Sequence, residues 1–110
     1  MNSWEKNLEL YDALVDKNKN FKRKGKTMPY TSANGYMFSF INKSGELGIR
    51  LPKEKAKKFR EKYSTAEFKS HGAIMKDYVH VPDSALQKES ETIASYLQES
   101  YKYVMSLPKK

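Results

Sequence analysis

Between Gly35 and Leu51 apolar residues fall at every second position on either side of a short turn, and this pattern limits what the chain can become. A period of two belongs to β-strands, whose successive side chains point to opposite faces. Tyr36, Phe38 and Phe40 are expected on one face of the first strand, and Leu47, Ile49 and Leu51 on one face of the next. The turn between them, Asn42-Lys43-Ser44-Gly45, is built of turn formers, and Gly45 takes φ > 0 at no steric cost.

The flanking segments read as follows. Trp4, Leu8, Tyr11 and Val15 recur at i, i+4, i+7 and i+11, which predicts a helix from about Ser3 to Lys17. Asn18 to Lys26 has no core periodicity and reads as a basic loop anchored by Phe21. Thr27 to Ser32 reads as a first strand, which Pro29 confines to an edge or a strand end. Asn34-Gly35 turns it into the hairpin. After Pro52, Ala56, Phe59 and Tyr63 form the apolar stripe of a helix from Lys53 to Tyr63. Glu67-Phe68-Lys69 and Ala73 to Val81 read as two more strands. In the second of these, Met75, Val79 and Val81 take one face, Ile74, Tyr78 and His80 the other, and a bend is expected at Asp77. One long helix from Ser84 to Leu107 follows. Leu86, Ile93, Leu97 and Val104 form its stripe, Ser84 and Gln87 a capping box, and Pro108 its stop. The order α-β3-α-β2-α sets an antiparallel sheet against segregated helices and predicts an α+β fold. At 110 residues this is one domain, residues 1–110.

The chain has no cysteine, which excludes disulfides and thiolate chemistry and fits a reducing cytoplasm. No apolar run approaches the ~20 residues of a membrane-spanning helix. A soluble cytoplasmic protein is therefore expected. Net charge is +8, concentrated in two clusters: Lys17, Lys19, Lys22, Arg23, Lys24 and Lys26, then Lys53, Lys55, Lys57, Lys58, Arg60 and Lys62. Such a balance favours anionic partners. Arginine, whose planar fork reads phosphates and bases, is scarce. The candidate contacts to an anionic partner are Lys22, Arg23 and Lys24 in the loop and Lys55, Lys58 and Lys62 on the helix.

Asn34-Gly35-Tyr36-Met37-Phe38-Ser39-Phe40 is similar to the glycine-x-Met-Phe-apolar strand of the TfoX N-terminal-domain family. Gly45-Glu46-Leu47 with Ile49-Arg50-Leu51 resembles the next strand of that family, and Tyr78-Val79-His80-Val81-Pro82 with Asp83-Ser84-Ala85-Leu86 its junction into the final helix. Where family members typically carry Met-Phe-Gly-Gly, this chain has Met28-Pro29-Tyr30-Thr31-Ser32, without paired glycines. The segment from Ser100 to Lys110 also resembles YjbR-like proteins. The resemblance implies the secretion-chaperone-like α-β3-α-β2-α arrangement. It also implies a small regulatory or protein-interaction domain, linked in some family members to natural competence.

No catalytic constellation is visible in the residues. His71 and His80 with Asp77 match no metal-binding spacing. The glycines lack phosphate-cradle spacing, and no serine sits in a nucleophile elbow. Glu46, Glu67 and Asp77 read as surface carboxylates. Tyr30 and Tyr36 could stack on bases beside the basic loop, but a period-two aromatic stripe reads first as sheet packing. No catalytic, cofactor or metal residue is expected. Two functions follow as expectations: a non-enzymatic module that binds a protein partner or a second copy of itself, and a nucleic-acid binder acting through the basic clusters.

Overall fold

A computed structural model describes residues 3–26, 28–65, 67–70 and 72–109. Its elements are α1 (Ser3–Asp16), β1 (Tyr30–Ala33), β2 (Tyr36–Ile41), β3 (Leu47–Arg50), α2 (Lys53–Tyr63), β4 (Glu67–Ser70), β5 (Ala73–Val81), α3 (Asp83–Lys88) and α4 (Ser90–Ser106). The strands form one antiparallel sheet in the order β1-β2-β3-β5-β4. The α+β class holds.

The main core lies between one sheet face and the helices. Leu47, Ile49 and Leu51 all enter it, as their alternation requires, beside Val79 and Val81 from β5 and Ile93, Leu97 and Val104 from α4. Tyr11 of α1 is fully buried there, and its hydroxyl begins a chain through Ser39 to Thr31 at 2.5 Å per step. Buried hydroxyls must find partners, and these three satisfy one another.

Five details depart from the sequence reading. Tyr36, Phe38 and Phe40 do not share a face. Thr31 pairs with Ser39 but Ser32 with Met37, so β2 holds one extra residue, Phe38. A bulge of this kind breaks the period of two. Phe38 meets Phe21 and Tyr101 in the helix-side core, and the next residue, Ser39, reaches Tyr11 on that same side. Phe40 is thereby turned to the opposite face. There it packs edge-on against Phe68 and Tyr78, with ring centroids 5.2 and 5.4 Å away. Met75 joins this second cluster rather than Val79 and Val81. Between Lys69↔Ile74 and Glu67↔Val79, β4 advances two residues while β5 advances five, an irregularity that contains the bend expected at Asp77.

The first strand starts at Tyr30 rather than at Thr27, which lies outside the described residues; an isolated bridge between Lys24 and Tyr30 precedes it. The long final helix is two helices. Glu89, at φ −122° and ψ 42°, leaves the helical region between α3 and α4. This break re-aims α3 at α1, where Asp83 accepts a hydrogen bond from Asn7. The apolar stripe runs through the break unaltered and no glycine or proline marks it. The capping box also fails to form. α3 begins at Asp83 behind Pro82, and no side chain caps it.

The turns behave as their residues dictate. Asn34 and Gly35 both take positive φ, 55° and 84°, between β1 and β2, as a two-residue hairpin demands. Asn34 also donates to the carbonyls of Val104 and Leu107, so the hairpin caps the C-terminus of α4. Asn42 Oδ1 accepts from the amides of Ser44 and Glu46 and closes the β2–β3 turn.

Candidate binding surface

The two basic clusters do not merge. α4 separates them. Its buried stripe, Ile93, Leu97, Ser100 and Val104, faces the sheet. At 100° per residue Tyr96 and Tyr101 project to opposite sides of that stripe. Tyr101 packs on Phe21 of the basic loop, 5.3 Å between centroids, and Tyr96 packs edge-on against Phe59 of α2, 5.0 Å away. The loop cluster therefore lies beyond one flank of α4 and the α2 cluster beyond the other.

The loop cluster is largely committed or balanced. Arg23 donates through Nε to Asp12 at 2.5 Å and through Nη1 to the carbonyl of Gly25 at 2.7 Å. Lys22 and Arg23 line a hollow of about 330 Å³ together with Asp12 and Asp16, so carboxylates offset the cations there. Lys24 is exposed, with its ammonium 3.5 Å from the Ser32 hydroxyl. Tyr36 is not available for stacking on a base, because it packs against the main core and donates its hydroxyl to the carbonyl of Pro108.

On the other flank a groove of about 350 Å³ opens between α2 and α4, lined by Lys55, Lys58, Thr92, Ser95, Tyr96 and Glu99. It concentrates two ammonium groups, two aliphatic hydroxyls and a phenol on rigid helices. Lys55 is ion-paired with Glu99 across it and holds that carboxyl below its ordinary range. Lys58 has no ion pair among the described residues. Lys62 is elsewhere, with its ammonium 5.2 Å from the ring of Tyr63. Of the six candidate contacts, Lys55 and Lys58 converge on this groove, and Lys22 and Arg23 on the hollow that Asp12 and Asp16 share.

The remaining candidates for chemistry are dispersed. His80 Nε2 stands 3.7 Å from Glu46 Oε2, and Glu46 also accepts from Asn42. Asp77 is exposed within the irregular part of β5. His71 and the Glu67 side chain lie outside the described residues. Among the described residues no group of three His, Cys, Asp or Glu could hold a metal ion, and no helix is long and apolar enough to cross a membrane.

The α4 half of the groove was not among the sequence candidates. Its signal was present: Thr92, Tyr96, Glu99 and Tyr103 repeat at i, i+4, i+7 and i+11, one flank away from the apolar stripe. That α2 lies alongside is a tertiary fact that this periodicity does not encode. No family model, no curated protein and no solved structure matches this chain.

Proposed function

We propose that the chain is a small non-enzymatic interaction module, similar to TfoX N-terminal domains, that docks an acidic segment of a partner protein along the α2–α4 flank in the cytoplasm. The convergence of Lys55 and Lys58 with Thr92, Ser95 and Tyr96 in one groove, where Glu99 pairs with Lys55 and leaves Lys58 without an ion pair among the described residues, carries this reading. The order of elements supports the resemblance, with the final helix divided in two. The outer sheet face, where self-association is the alternative, is filled by the chain's own Phe40 and Phe68, each 1% exposed. That favours the polar flank as the contact surface.

Two of the three arginine forks are already committed, which favours this reading over nucleic-acid binding. Arg23 is held by Asp12 and Gly25, and Arg60 donates to the carbonyls of Lys76 and Tyr78 at 3.1 Å. Lysines supply charge without bidentate readout. A polyanionic strand would also have to cross α4 to neutralise both clusters.

The test is a titration of labelled oligoglutamate and of single-stranded DNA at several salt concentrations. The peptide should bind, and Lys55→Gln with Lys58→Gln should weaken it. For DNA, the logarithm of affinity should fall with the logarithm of salt by only about 0.7 for each phosphate neutralised, with few phosphates engaged. A steep DNA slope that collapses on changing Lys22 and Lys24 to Glu would replace this function with nucleic-acid binding.

A further inference from the structure

Arg50 lies at the end of β3, on the same flank of α4 as the groove. Its guanidinium carbon sits over the ring of Tyr36 at 5.5 Å and over that of Tyr103 at 5.8 Å. Both distances fall within cation–π range. Tyr103 follows Tyr96 by seven residues, two turns or roughly 10 Å along α4. The stripe Thr92, Tyr96, Glu99 and Tyr103 thus runs from the lysine groove to this arginine.

The neighbourhood of Arg50 differs from that of the other two arginines. Arg23 and Arg60 spend their N–H groups on a carboxylate and on carbonyls. Arg50 has no ion pair and no side-chain hydrogen bond among the described residues, and its Nε is sealed from solvent without a partner. Its backbone is fixed, since the carbonyl accepts from Ser100 and its strand pairs with β5 opposite Tyr78. All five N–H groups of a guanidinium lie in its plane, so its edge is the direction for hydrogen bonding. A half-buried, always-charged fork beside Tyr36 and Tyr103 and without an oxygen to meet it among the described residues is an incomplete arrangement. Charged donors left unmet are among the costliest polar groups to bury.

We infer that Arg50 is the anchor of the docking surface, a specific carboxylate-binding position that takes a Glu or Asp side chain of the partner end-on through Nη1 and Nη2, between Tyr36 and Tyr103, while Lys55 and Lys58 hold acidic residues further along. This rests on the proposed docking of an acidic segment. It goes further by assigning specificity to one residue outside both basic clusters. A planar carboxylate matches the guanidinium edge in two parallel N–H···O bonds. Lysine at the same place would keep the charge and lose the fork.

Two measurements on the full chain test it. In the first, the Arg50 Nε–Hε resonance is followed by NMR while an oligoglutamate peptide or inorganic phosphate is added to the wild-type protein. The peptide should shift it at concentrations where phosphate does not. A shift with phosphate alone would overturn the carboxylate assignment, and no shift with a peptide that does bind would remove Arg50 from the site. In the second, Arg50→Lys should weaken the peptide about tenfold, the scale of one lost bidentate pair, with an unchanged far-ultraviolet circular dichroism spectrum. Unchanged affinity for Arg50→Lys, with weakening by Lys55→Gln and Lys58→Gln, would leave the docking function standing and refute the anchor. A peptide that binds neither wild type nor variant would remove both.

Discussion

Replacing Gly48 with alanine tests the second aromatic cluster, because two effects of opposite sign meet at that residue. In a strand interior alanine is ordinarily favoured over glycine by roughly 0.5–1 kcal/mol. Gly48 takes no special backbone angle, so that gain is open to it. However, a Cβ at Gly48 would stand 2.4, 2.5 and 2.7 Å from three carbons of the Phe68 ring. The ring cannot swing aside freely, since Phe68 is 1% exposed and sits 5.2 Å from Phe40 and 6.1 Å from Tyr78. Forcing extra volume into such packing costs about 1–3 kcal/mol. Complete expulsion of the ring sets a ceiling near the 3–5 kcal/mol of a Phe→Ala change. Gly48→Ala should therefore destabilise by about 1–3 kcal/mol, lowering Tm by about 4–8 °C per kcal/mol for a domain of this size. Urea unfolding followed by circular dichroism measures it. The same substitution in a Phe68→Ala background meets no ring and should be neutral or mildly stabilising, so the two changes should couple by about 1–3 kcal/mol. Equal destabilisation in both backgrounds, or none in the wild type, would refute the packing of Phe68 over Gly48.

Further outcomes follow from the caps and the phenols. Asn34→Gly keeps the positive φ but removes both donors to Val104 and Leu107; a loss of about 1–2 kcal/mol should come with faster amide exchange confined to the last turn of α4. Burial raises the pKa of Tyr11 and pushes that of Tyr78 up to about 12, and burial together with Glu89 takes Tyr63 to about 12. Folding favours the neutral phenol in each. The stabilisation is thus fully present below the ordinary value of about 10 and is lost as pH rises through about 12. Tyr11, Tyr63 and Tyr78 should ionise late in a spectrophotometric titration, together with alkaline unfolding. A single common transition near about pH 10 would contradict their burial.

The element order was legible because both periodicities are strong. Leu47, Ile49 and Leu51 fixed the core face of β3, and the charged faces of α2 fixed its outward side. The departures have local causes that composition does not encode. The bulge at Phe38 is a property of how β1 and β2 register, and nothing in Met37-Phe38-Ser39 announces it. The break at Glu89 lies inside an uninterrupted apolar stripe because α3 is turned by its contact with α1 through Asp83 and Asn7. Lys55 and Lys58 were legible from charge alone. Their partners on α4, and the role of Arg50, depend on which helix lies beside which, which is a tertiary fact.

Amide chemical-shift mapping with an oligoglutamate peptide tests the account most directly, because it reads every part of the surface at once. The prediction is perturbation along Lys55, Lys58, Thr92, Tyr96 and Tyr103 and at Arg50, with the loop from Asn18 to Lys26 quiet. Perturbation centred on that loop, or spread evenly over all lysines, would contradict a docking flank between α2 and α4.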